Sequence, residues 1–317
     1  MNNKKVVVLG GGTGMSVLLS GLKEFPLDIS AIVSVSDDGS STGKLREEFN
    51  VPAVGDIRKI LVSLSNSSPL LEELLNYRFK TYSDLNNHAV GNLLLTALCD
   101  IKGNMSDAIE GLEGILDLKG KVIPLTEDNV TLVANMKDGS VIEGESEITE
   151  AKKVIEKIYY KEEPLVNEAA IKAIDEADLI ILSMGSIYTS VIPNLICPAI
   201  INAIDKSNAK IMYICNMMTQ PGETDNFKVS DHVKLLNSYL GKRKIDVVVA
   251  NNKSIKKSVL KKYETLEQKD EVLVDSENLK DVKLILSNFF IIKDELIRHD
   301  ALKLALNIFV YIATYVK

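Results

Sequence analysis

Short apolar runs alternate with helical patterns over most of the chain. The run Val6–Leu9 precedes a helical pattern from about residue 13 to residue 24, and the run Ile29–Val35 follows it. Three further apolar runs come later, at Leu179–Leu182, Ile211–Cys215 and Ile245–Ala250. Continuous apolar runs of this length are typical of strands that are buried on both faces of a sheet. The alternation therefore predicts an α/β fold, with a Rossmann-like, mostly parallel, doubly wound sheet and right-handed βαβ crossovers.

Each of the later runs is followed by a helical pattern. These patterns cover about residues 193–205, 227–240 and 255–263. A last apolar stretch, Leu304–Val316, is shorter than the roughly 20 residues that a membrane-spanning helix needs. We interpret this stretch as a buried C-terminal helix and expect no membrane insertion.

Two segments interrupt the alternation. Residues 56–118 carry apolar positions at helical spacing and predict several helices in succession. Residues 121–160 contain three short β-rich stretches separated by turn signals, which predict antiparallel strands. Because no linker, low-complexity segment or internal repeat divides the chain, we expect a single domain over residues 1–317. The helical region and the β-hairpin region would be embellishments of that domain.

Composition narrows the class of protein. The chain has 317 residues and a formal net charge of −7, so it offers no global basic field for nucleic acid. Its cysteines, Cys99, Cys197 and Cys215, are far apart and form no CxxC motif, which favours free core thiols. No secretory signal is recognisable ahead of the first predicted strand. We therefore expect a cytoplasmic protein that does not bind nucleic acid.

A glycine cluster directly follows the first predicted strand. Glycines let the backbone approach a ligand closely, and a helix start adds free N–H groups and a positive partial charge. The predicted phosphate cradle consists of Gly11, Gly12, Thr13 and Gly14. The dinucleotide fingerprint GxGxxG is not met, because its third glycine position falls on Met15 or Val17. The loop also has no lysine, so the Walker pattern fails, and the cradle does not identify a cofactor.

Acidic side chains follow the second predicted strand. Asp37 and Asp38 lie about twenty residues beyond the glycine cluster, where an acidic residue reaches ribose hydroxyls in dinucleotide-binding folds. The two carboxylates could instead hold Mg²⁺, with Asp56 as a third candidate ligand. Asp38 could equally cap a helix, and Asp56 precedes an apolar-periodic run as an N-cap would. Ser41 and Arg46 add a hydroxyl group and a positive charge nearby.

Two polar groups belong to the predicted helical region. Arg58 lies near the start of a helix, where a positive charge opposes the macrodipole and a bound anion would compensate. His88 and Asn92 are four residues apart and share a helix face. Each of these side chains is a candidate ligand contact, although a structural role for the histidine is an open alternative.

Polar loops follow two of the later strands. The first loop contributes Gly185, Ser186, Tyr188, Thr189 and Asn194, and the second contributes Asn216, Thr219 and Gln220. In an open parallel sheet, ligands bind beyond the carboxyl ends of the strands, so these loops and the glycine cluster should share one crevice. Near the C-terminus, Arg298 could clamp a diphosphate, since guanidinium pairs bidentately with phosphate oxygens. An ion pair with Glu295 is the alternative for Arg298.

Taken together, these stretches resemble the YvcK/CofD-like family, in particular its bacterial gluconeogenesis factor branch. The matching stretches are GGGTG, DDGSSTGKLR, GDIRKIL, HAVGNLLL, GSIYTSVIPNL, CNMMTQPGET, DHVKLL and the late RHD. Two positions depart from the family pattern. Ser40 stands where a second glycine is usual, and Ser183-Met184 replaces the usual Gly-Pro. Both departures affect backbone shape in the loops.

The resemblance implies a cytoplasmic protein needed for cell shape and for growth on gluconeogenic carbon sources. It also implies binding of a UDP-sugar such as UDP-N-acetylglucosamine. The more distant branch, 2-phospho-L-lactate transferase, transfers a phospholactyl group from a nucleotide-activated donor with Mg²⁺. Our leading hypothesis is therefore a nucleotide-sugar-binding regulatory protein, in which Arg298 neutralises the diphosphate. This hypothesis assigns no definite cofactor and leaves Mg²⁺ as an open alternative. It also leaves open whether the protein forms a homodimer.

Two other hypotheses belong to different classes. A Mg²⁺-dependent transferase acting on a nucleotide-diphosphate donor would use Asp37, Asp38 and Asp56 as metal ligands. An NAD(P)-dependent dehydrogenase is the third hypothesis, and the missing fingerprint glycine makes it the weakest.

Overall fold

A seven-stranded, fully parallel sheet forms the centre of the molecule in a computed structural model. The structure describes residues 3–256, 259–261, 265, 268–293 and 296–316. The strands of this sheet are β1 (Lys4–Gly10), β2 (Leu27–Val33), β3 (Lys121–Pro124), β7 (Leu179–Leu182), β8 (Lys210–Ile214), β9 (Val247–Asn251) and β10 (Lys283–Ser287). Their spatial order is β3-β2-β1-β7-β8-β9-β10, so the chain builds outward from β1 in both directions. This is the doubly wound Rossmann order, and it leaves a crevice where the order reverses, between β1 and β7.

Helices cover the sheet and fill the connections. They are α1 (Gly12–Leu22), α2 (Ser40–Phe49), α3 (Val54–Leu64), α4 (Pro69–Asn76), α5 (Val90–Lys102), α6 (Met105–Leu116), α7 (Glu145–Ala151), α8 (Glu168–Asp175), α9 (Ile192–Leu195), α10 (Pro198–Lys206), α11 (Val229–Tyr239) and α12 (Ala301–Tyr315). Because helices pack on the sheet, the residues of β7 and the residues of β1 from Val6 onward are buried. This two-sided burial explains why the central strands are continuously apolar.

Two small antiparallel sheets complete the fold. One has the order β5-β4-β6, with β4 (Leu132–Met136), β5 (Val141–Glu143) and β6 (Ile155–Tyr160). The other pairs β11 (Phe290–Lys293) with β12 (Leu296–His299). The three-stranded sheet and α7 form what we call the β insertion, residues 132–160.

The predicted fold class is confirmed, with corrections in detail. The stretch at residues 121–124 is not part of an antiparallel hairpin, because it pairs in parallel with β2 at the edge of the main sheet. The helix predicted over residues 193–205 is two helices, α9 and α10, with a break before Pro198, and a π-helical turn at Ile187–Val191 precedes α9. Parts of the helix predicted at 255–263 lie outside the described residues. The C-terminal helix buries only one face, since Leu302 and Leu306 are exposed.

Helix α1 positions the crevice, because it packs between α3 and α12. Of the described helices, no single one is long and apolar enough to cross a membrane. One pair, Ile187–Leu195 with Pro198–Lys206, passes that test together by length and composition, but it is bent by 69°.

Candidate functional site

The glycine cluster forms the start of α1 at the carboxyl end of β1. Gly11 is the N-cap residue, and it has no side chain with which to satisfy the first N–H groups of the helix. Gly12 has a φ of +65°, a conformation that favours glycine. A Cβ atom on Gly14 would lie 2.2 Å from the carbonyl oxygen of Met184, so the helix start packs directly on the loop after β7. The uncapped N-terminus of α1 thus faces the crevice at the point where the strand order reverses.

A cavity of about 230 Å³ opens beside this helix start, and we call it the acidic cavity. Its lining residues are Gly12, Ser34, Asp37, Asp56, Lys59, Glu145, Thr149, Ser186, Thr189, Ser190 and Gln220. The Nζ atom of Lys59 donates to Oδ1 of Asp56 at 2.9 Å, one helical turn away on α3. Three carboxyl groups therefore share a small space with one ammonium group, which is already paired.

Burial and the close approach of the carboxyl groups raise the pKa values of two of them, Asp37 and Glu145. Burial, and then the charge of Asp56, raises the pKa of Asp37 above its ordinary value. Burial raises the pKa of Glu145 to about 7, the charges of Asp37 and Asp56 act in the same direction, and a hydrogen bond with Thr189 opposes the shift. Glu145 can therefore carry a proton near neutral pH.

The carboxylate of Asp38 is not among the lining residues. It accepts hydrogen bonds from the backbone N–H groups of Glu145 at 3.0 Å and Ser146 at 2.8 Å, at the start of α7. Asp38 thus joins the core to the β insertion and positions Glu145 in the acidic cavity. Among the described residues, no three histidine, cysteine, aspartate or glutamate side chains are arranged to hold a metal ion. Of the three predicted metal ligands, only Asp37 and Asp56 reach the cavity.

Arg46, like Asp38, binds other parts of the protein and holds the site in place. Its guanidinium donates to the carbonyl oxygens of Ser36 and Asp37 at 3.1 and 2.8 Å, to that of Val130, and to Oδ1 of Asn129. Burial lowers the pKa of the Arg46 guanidinium. These bonds join α2 to the loop after β2 and to the segment just before the β insertion, so the guanidinium is occupied within the protein.

The polar residues of the helical region form a buried cluster of their own. Nδ1 of His88 lies 3.0 Å from Oγ of Ser41, and Nδ2 of Asn92 donates to the same oxygen at 3.2 Å. Arg58 is buried, donates to Oδ1 of Asn76, and has an Nε atom with no hydrogen-bond partner. Burial lowers its pKa. None of the predicted contacts in this cluster lines the acidic cavity.

A second cavity, of about 350 Å³, lies beyond β7, β8 and β12, and we call it the basic cavity. Its lining residues are Gly185, Ser186, Asn216, Met217, Met218, Thr219, Gln220, Lys269, Leu296, Ile297, Arg298 and His299. It shares Ser186 and Gln220 with the acidic cavity, so the two cavities join at one wall. Burial lowers the pKa of His299 to about 4, so its imidazole is neutral at pH 7. Glu295, the predicted alternative partner of Arg298, lies outside the described residues.

Hydrogen bonds fix the shared wall. The Ser186 hydroxyl donates to Oε2 of Glu223 at 2.6 Å and accepts from N and Oγ1 of Thr189 at 3.0 and 2.7 Å. Oε2 of Glu223 also accepts from the backbone N–H of Tyr188 at 3.2 Å. Burial raises the pKa of Glu223. The Ser186 hydroxyl is therefore saturated by protein partners and shapes the wall.

Several predicted contacts act beneath the surface of the crevice. The Tyr188 side chain is buried, and that burial raises the pKa of its phenol to about 12. Asn194 is fully buried, and its Nδ2 atom donates to the carbonyl oxygens of Ser190 at 3.0 Å and Gly10 at 3.4 Å. Thr219 exchanges two hydrogen bonds of 2.8 Å with the backbone of Asp270. These residues hold the loops in place.

Sequence reasoning missed several residues of the two cavities. Lys59 could have been identified from the sequence, since it is three residues after Asp56 on the same predicted helix and therefore lies beside it. No sequence pattern identifies Glu145 and Thr149, because only the tertiary fold brings α7 to the carboxyl end of β2. Met217, Met218 and Ile297 give the basic cavity an apolar part, although the sequence analysis predicted none of them as a ligand contact.

A larger groove, of about 890 Å³, lies at the opposite edge of the sheet. It runs along the amino ends of β1, β2 and β3 and mixes lysines such as Lys5, Lys119 and Lys121 with Asp28, Glu113 and Asp117. Because ligands of open parallel sheets bind at the carboxyl ends, we place the functional site in the two joined cavities.

Comparison with known proteins finds similarity over nearly the whole chain. Residues 6–290 match the family described as 2-phospho-L-lactate transferase CofD. The chain is 44% identical to the gluconeogenesis factor of Bacillus subtilis over 306 residues, which cover 95% of this chain and 96% of that protein. It is 43% identical to a putative gluconeogenesis factor of Thermotoga maritima over 310 residues, 95% and 97% of the two chains.

A solved structure is also similar over nearly the whole chain. The crystal structure of a UPF0052 family member from Bacillus halodurans superposes with a TM-score of 0.92 at 41% identity, covering 96% of this chain and 99% of that one.

Proposed function

Because this chain belongs to the CofD/YvcK family, whose curated members at 41–44% identity are named gluconeogenesis factors, we propose that it binds a nucleotide-sugar of the UDP-N-acetylglucosamine type. It acts in the cytoplasm as a regulator of cell shape and cell-wall metabolism during gluconeogenic growth. The observation that carries this proposal is the pair of joined cavities at the carboxyl ends of β1, β7 and β8.

The size and chemistry of the two cavities suit such a ligand. Small-molecule pockets occupy roughly 300–1,000 Å³. The acidic cavity alone is below that range, whereas the two cavities together are within it. Two adjoining cavities suit an elongated ligand with a base, a diphosphate and a sugar. Methionine and isoleucine side chains offer apolar contact to a base, and the hydroxyl and carboxyl groups offer contacts to a sugar.

The diphosphate fits at the junction of the two cavities. Gly12, at the N-terminus of α1, lines the acidic cavity, and Arg298 lines the basic cavity. Backbone N–H groups and a guanidinium are the donors that phosphate oxygens prefer. Asn216, which the sequence predicted as a ligand contact, supports this arrangement by holding Gly185.

A transferase that uses a nucleotide-diphosphate donor and Mg²⁺ is the second candidate function. The family match and the pair Asp37 and Asp56 favour it, because carboxylate oxygens are the ligands that Mg²⁺ prefers. A metal bound there would neutralise charge on the donor phosphates. Asp38 does not belong to this pair, since both of its oxygens are bound to α7.

Calorimetric titration separates these functions. We expect UDP-N-acetylglucosamine to saturate the protein in a simple isotherm, with and without Mg²⁺, and to be recovered intact. Absence of binding by any UDP-sugar would contradict the proposal. Binding only with Mg²⁺, followed by slow heat and a new product that Asp37→Asn abolishes, would establish the transferase instead. GTP and NAD serve as comparison ligands.

A further inference from the structure

The two joined cavities have opposite charge. Lining residues Asp37, Asp56 and Glu145 put three carboxyl groups around the acidic cavity, against one ammonium group that is paired with Asp56. In the basic cavity, Lys269 and Arg298 are the charged residues of the lining, and no carboxylate is among the described residues there. An anionic part of a ligand is therefore favoured in the basic cavity and at the junction, and disfavoured deep in the acidic cavity.

We infer that the acidic cavity is the sugar subsite and that its carboxyl groups act as a specificity filter. They accept hydrogen bonds from a neutral, hydroxyl-bearing group and reject a terminal phosphate in the same place. This inference rests on the proposed function, and it adds the orientation of the ligand: nucleoside in the basic cavity, sugar in the acidic cavity. It explains how the site distinguishes a nucleotide-sugar from a nucleoside triphosphate, which differ at the end beyond the diphosphate.

The donor and acceptor groups of the acidic cavity match hydroxyl groups. An ionised carboxylate only accepts hydrogen bonds, and a sugar hydroxyl can donate one. Such charge-assisted bonds are stronger than bonds between neutral groups. Thr149 and Ser190 add hydroxyl groups to the lining, which can either donate or accept. A phosphate, by contrast, only accepts hydrogen bonds, and its negative charge would lie beside three carboxyl groups.

Asp38 does not extend the group of carboxyl groups in the acidic cavity. Asp38, the fourth acidic residue of the region, uses both oxygens on α7, so it adds no metal ligand. Glu145 reaches the cavity from the β insertion, and burial among acidic neighbours raises its pKa to about 7.

At the junction of the two cavities, the ligand group beyond the diphosphate can reach the carboxyl groups of the acidic cavity. Ser186 and Gln220 line both cavities, so a ligand that extends from Arg298 into the acidic cavity lies against them. The Ser186 hydroxyl is held by Glu223 and Thr189, and it gives no free proton to a phosphate at the wall. Beyond this wall, the next ligand group meets the three carboxyl groups. In UTP that group is the γ-phosphate, and in a UDP-sugar it is the sugar.

The test compares UDP-N-acetylglucosamine with UTP by calorimetry in EDTA, using the full chain. We expect the wild-type protein to bind the UDP-sugar at least tenfold more tightly than UTP. Glu145→Gln and Asp56→Asn should each raise the affinity for UTP several-fold and lower that for the UDP-sugar. Glu147→Gln is the matched control, since Glu147 is exposed on the same helix and outside both linings. It should leave the ratio of the two affinities unchanged.

The possible outcomes keep this inference apart from the proposed function. Equal affinity of the wild-type protein for UTP and the UDP-sugar would overturn the filter while leaving nucleotide binding intact. Variants that change both affinities by the same factor would also overturn it, as would UDP-sugar binding that disappears in EDTA. Failure of every UDP-sugar to bind, with or without Mg²⁺, would instead contradict the proposed function. Thermal unfolding of each variant shows whether it is folded before titration.

Discussion

Asn216 holds Gly185 by two hydrogen bonds across the carboxyl edge of the sheet. The backbone N–H of Gly185 donates to Oδ1 of Asn216 at 3.0 Å, and Nδ2 of Asn216 donates to the Gly185 carbonyl oxygen at 2.5 Å. One side-chain amide thus locks the loop after β7 to the loop after β8. Both loops line the basic cavity, so its shape depends on this pair.

Asn216→Ala should loosen the basic cavity. Loss of two partly buried hydrogen bonds should cost about 1–2 kcal/mol of unfolding free energy. Because Gly185 is no longer held, we expect the affinity for UDP-N-acetylglucosamine to fall roughly tenfold, a factor that corresponds to about 1.4 kcal/mol. Urea unfolding and calorimetry measure the two effects. Asn307→Ala, on α12, removes a similar side-chain bond far from the crevice and should leave the affinity unchanged.

Asp37 and Asp38 are neighbours in sequence, yet they should respond differently to substitution by asparagine. Asp38→Asn disturbs the start of α7 and should cost about 1–2 kcal/mol of stability, with weaker ligand binding because Glu145 moves. Asp37→Asn should not destabilise the protein, since burial already disfavours its charged form. It should weaken ligand binding directly. Equal thermal stability of the two variants would contradict this assignment.

Stability of the free protein should decrease between pH 5 and pH 8 through Glu145. Folding raises its pKa from 4.5 to about 7, so the folded state holds the proton more tightly than the unfolded state does. The resulting stabilisation is complete below the unfolded value and is lost as the pH rises through 7. Its size is on the order of 3 kcal/mol.

The control for this pH dependence is Glu145→Gln, which removes the titrating group. Urea unfolding at pH 5 and pH 8 should give a smaller difference for the variant than for the wild-type protein. An identical difference in both proteins would mean that other groups control the pH dependence. Asp37 acts in the same direction, because its pKa is also raised.

Arg46 should be essential for stability and not for direct ligand contact. Arg46→Met leaves several buried carbonyl oxygens without a donor, and we expect a loss of about 3 kcal/mol in urea unfolding. Lys44→Met is the matched control, since Lys44 is exposed on the same helix. If Arg46→Met abolished ligand binding with unchanged stability, the guanidinium would be a ligand contact after all.

Much of the fold was predictable, because buried parallel strands carry a strong apolar signal. Val6–Leu9 and Leu179–Leu182 are buried on both faces, and their sequences indicate this directly. The segment 121–124 was misassigned because turn signals suggested hairpins, whereas packing against β2 places it in the main sheet. Local pattern does not specify which strand a short edge strand pairs with.

The candidate site was predictable as a region and less so as a set of contacts. Motif residues such as Asp38, Arg46 and Asn216 do lie around the crevice, but their polar groups bind the protein itself. A sequence motif does not separate a ligand contact from the residue that positions it. Glu145 could not be found at all, since the tertiary position of the β insertion brings it to the cavity.

The most direct test is a crystal structure of the protein with UDP-N-acetylglucosamine. The account predicts a ligand across the two cavities, with the diphosphate between Gly12 and Arg298 and sugar hydroxyls within about 3.2 Å of the carboxyl oxygens of Asp37, Asp56 or Glu145. A nucleotide in the groove at the amino ends of β1, β2 and β3 would contradict it, and so would a phosphate against the carboxyl groups of Asp37, Asp56 and Glu145.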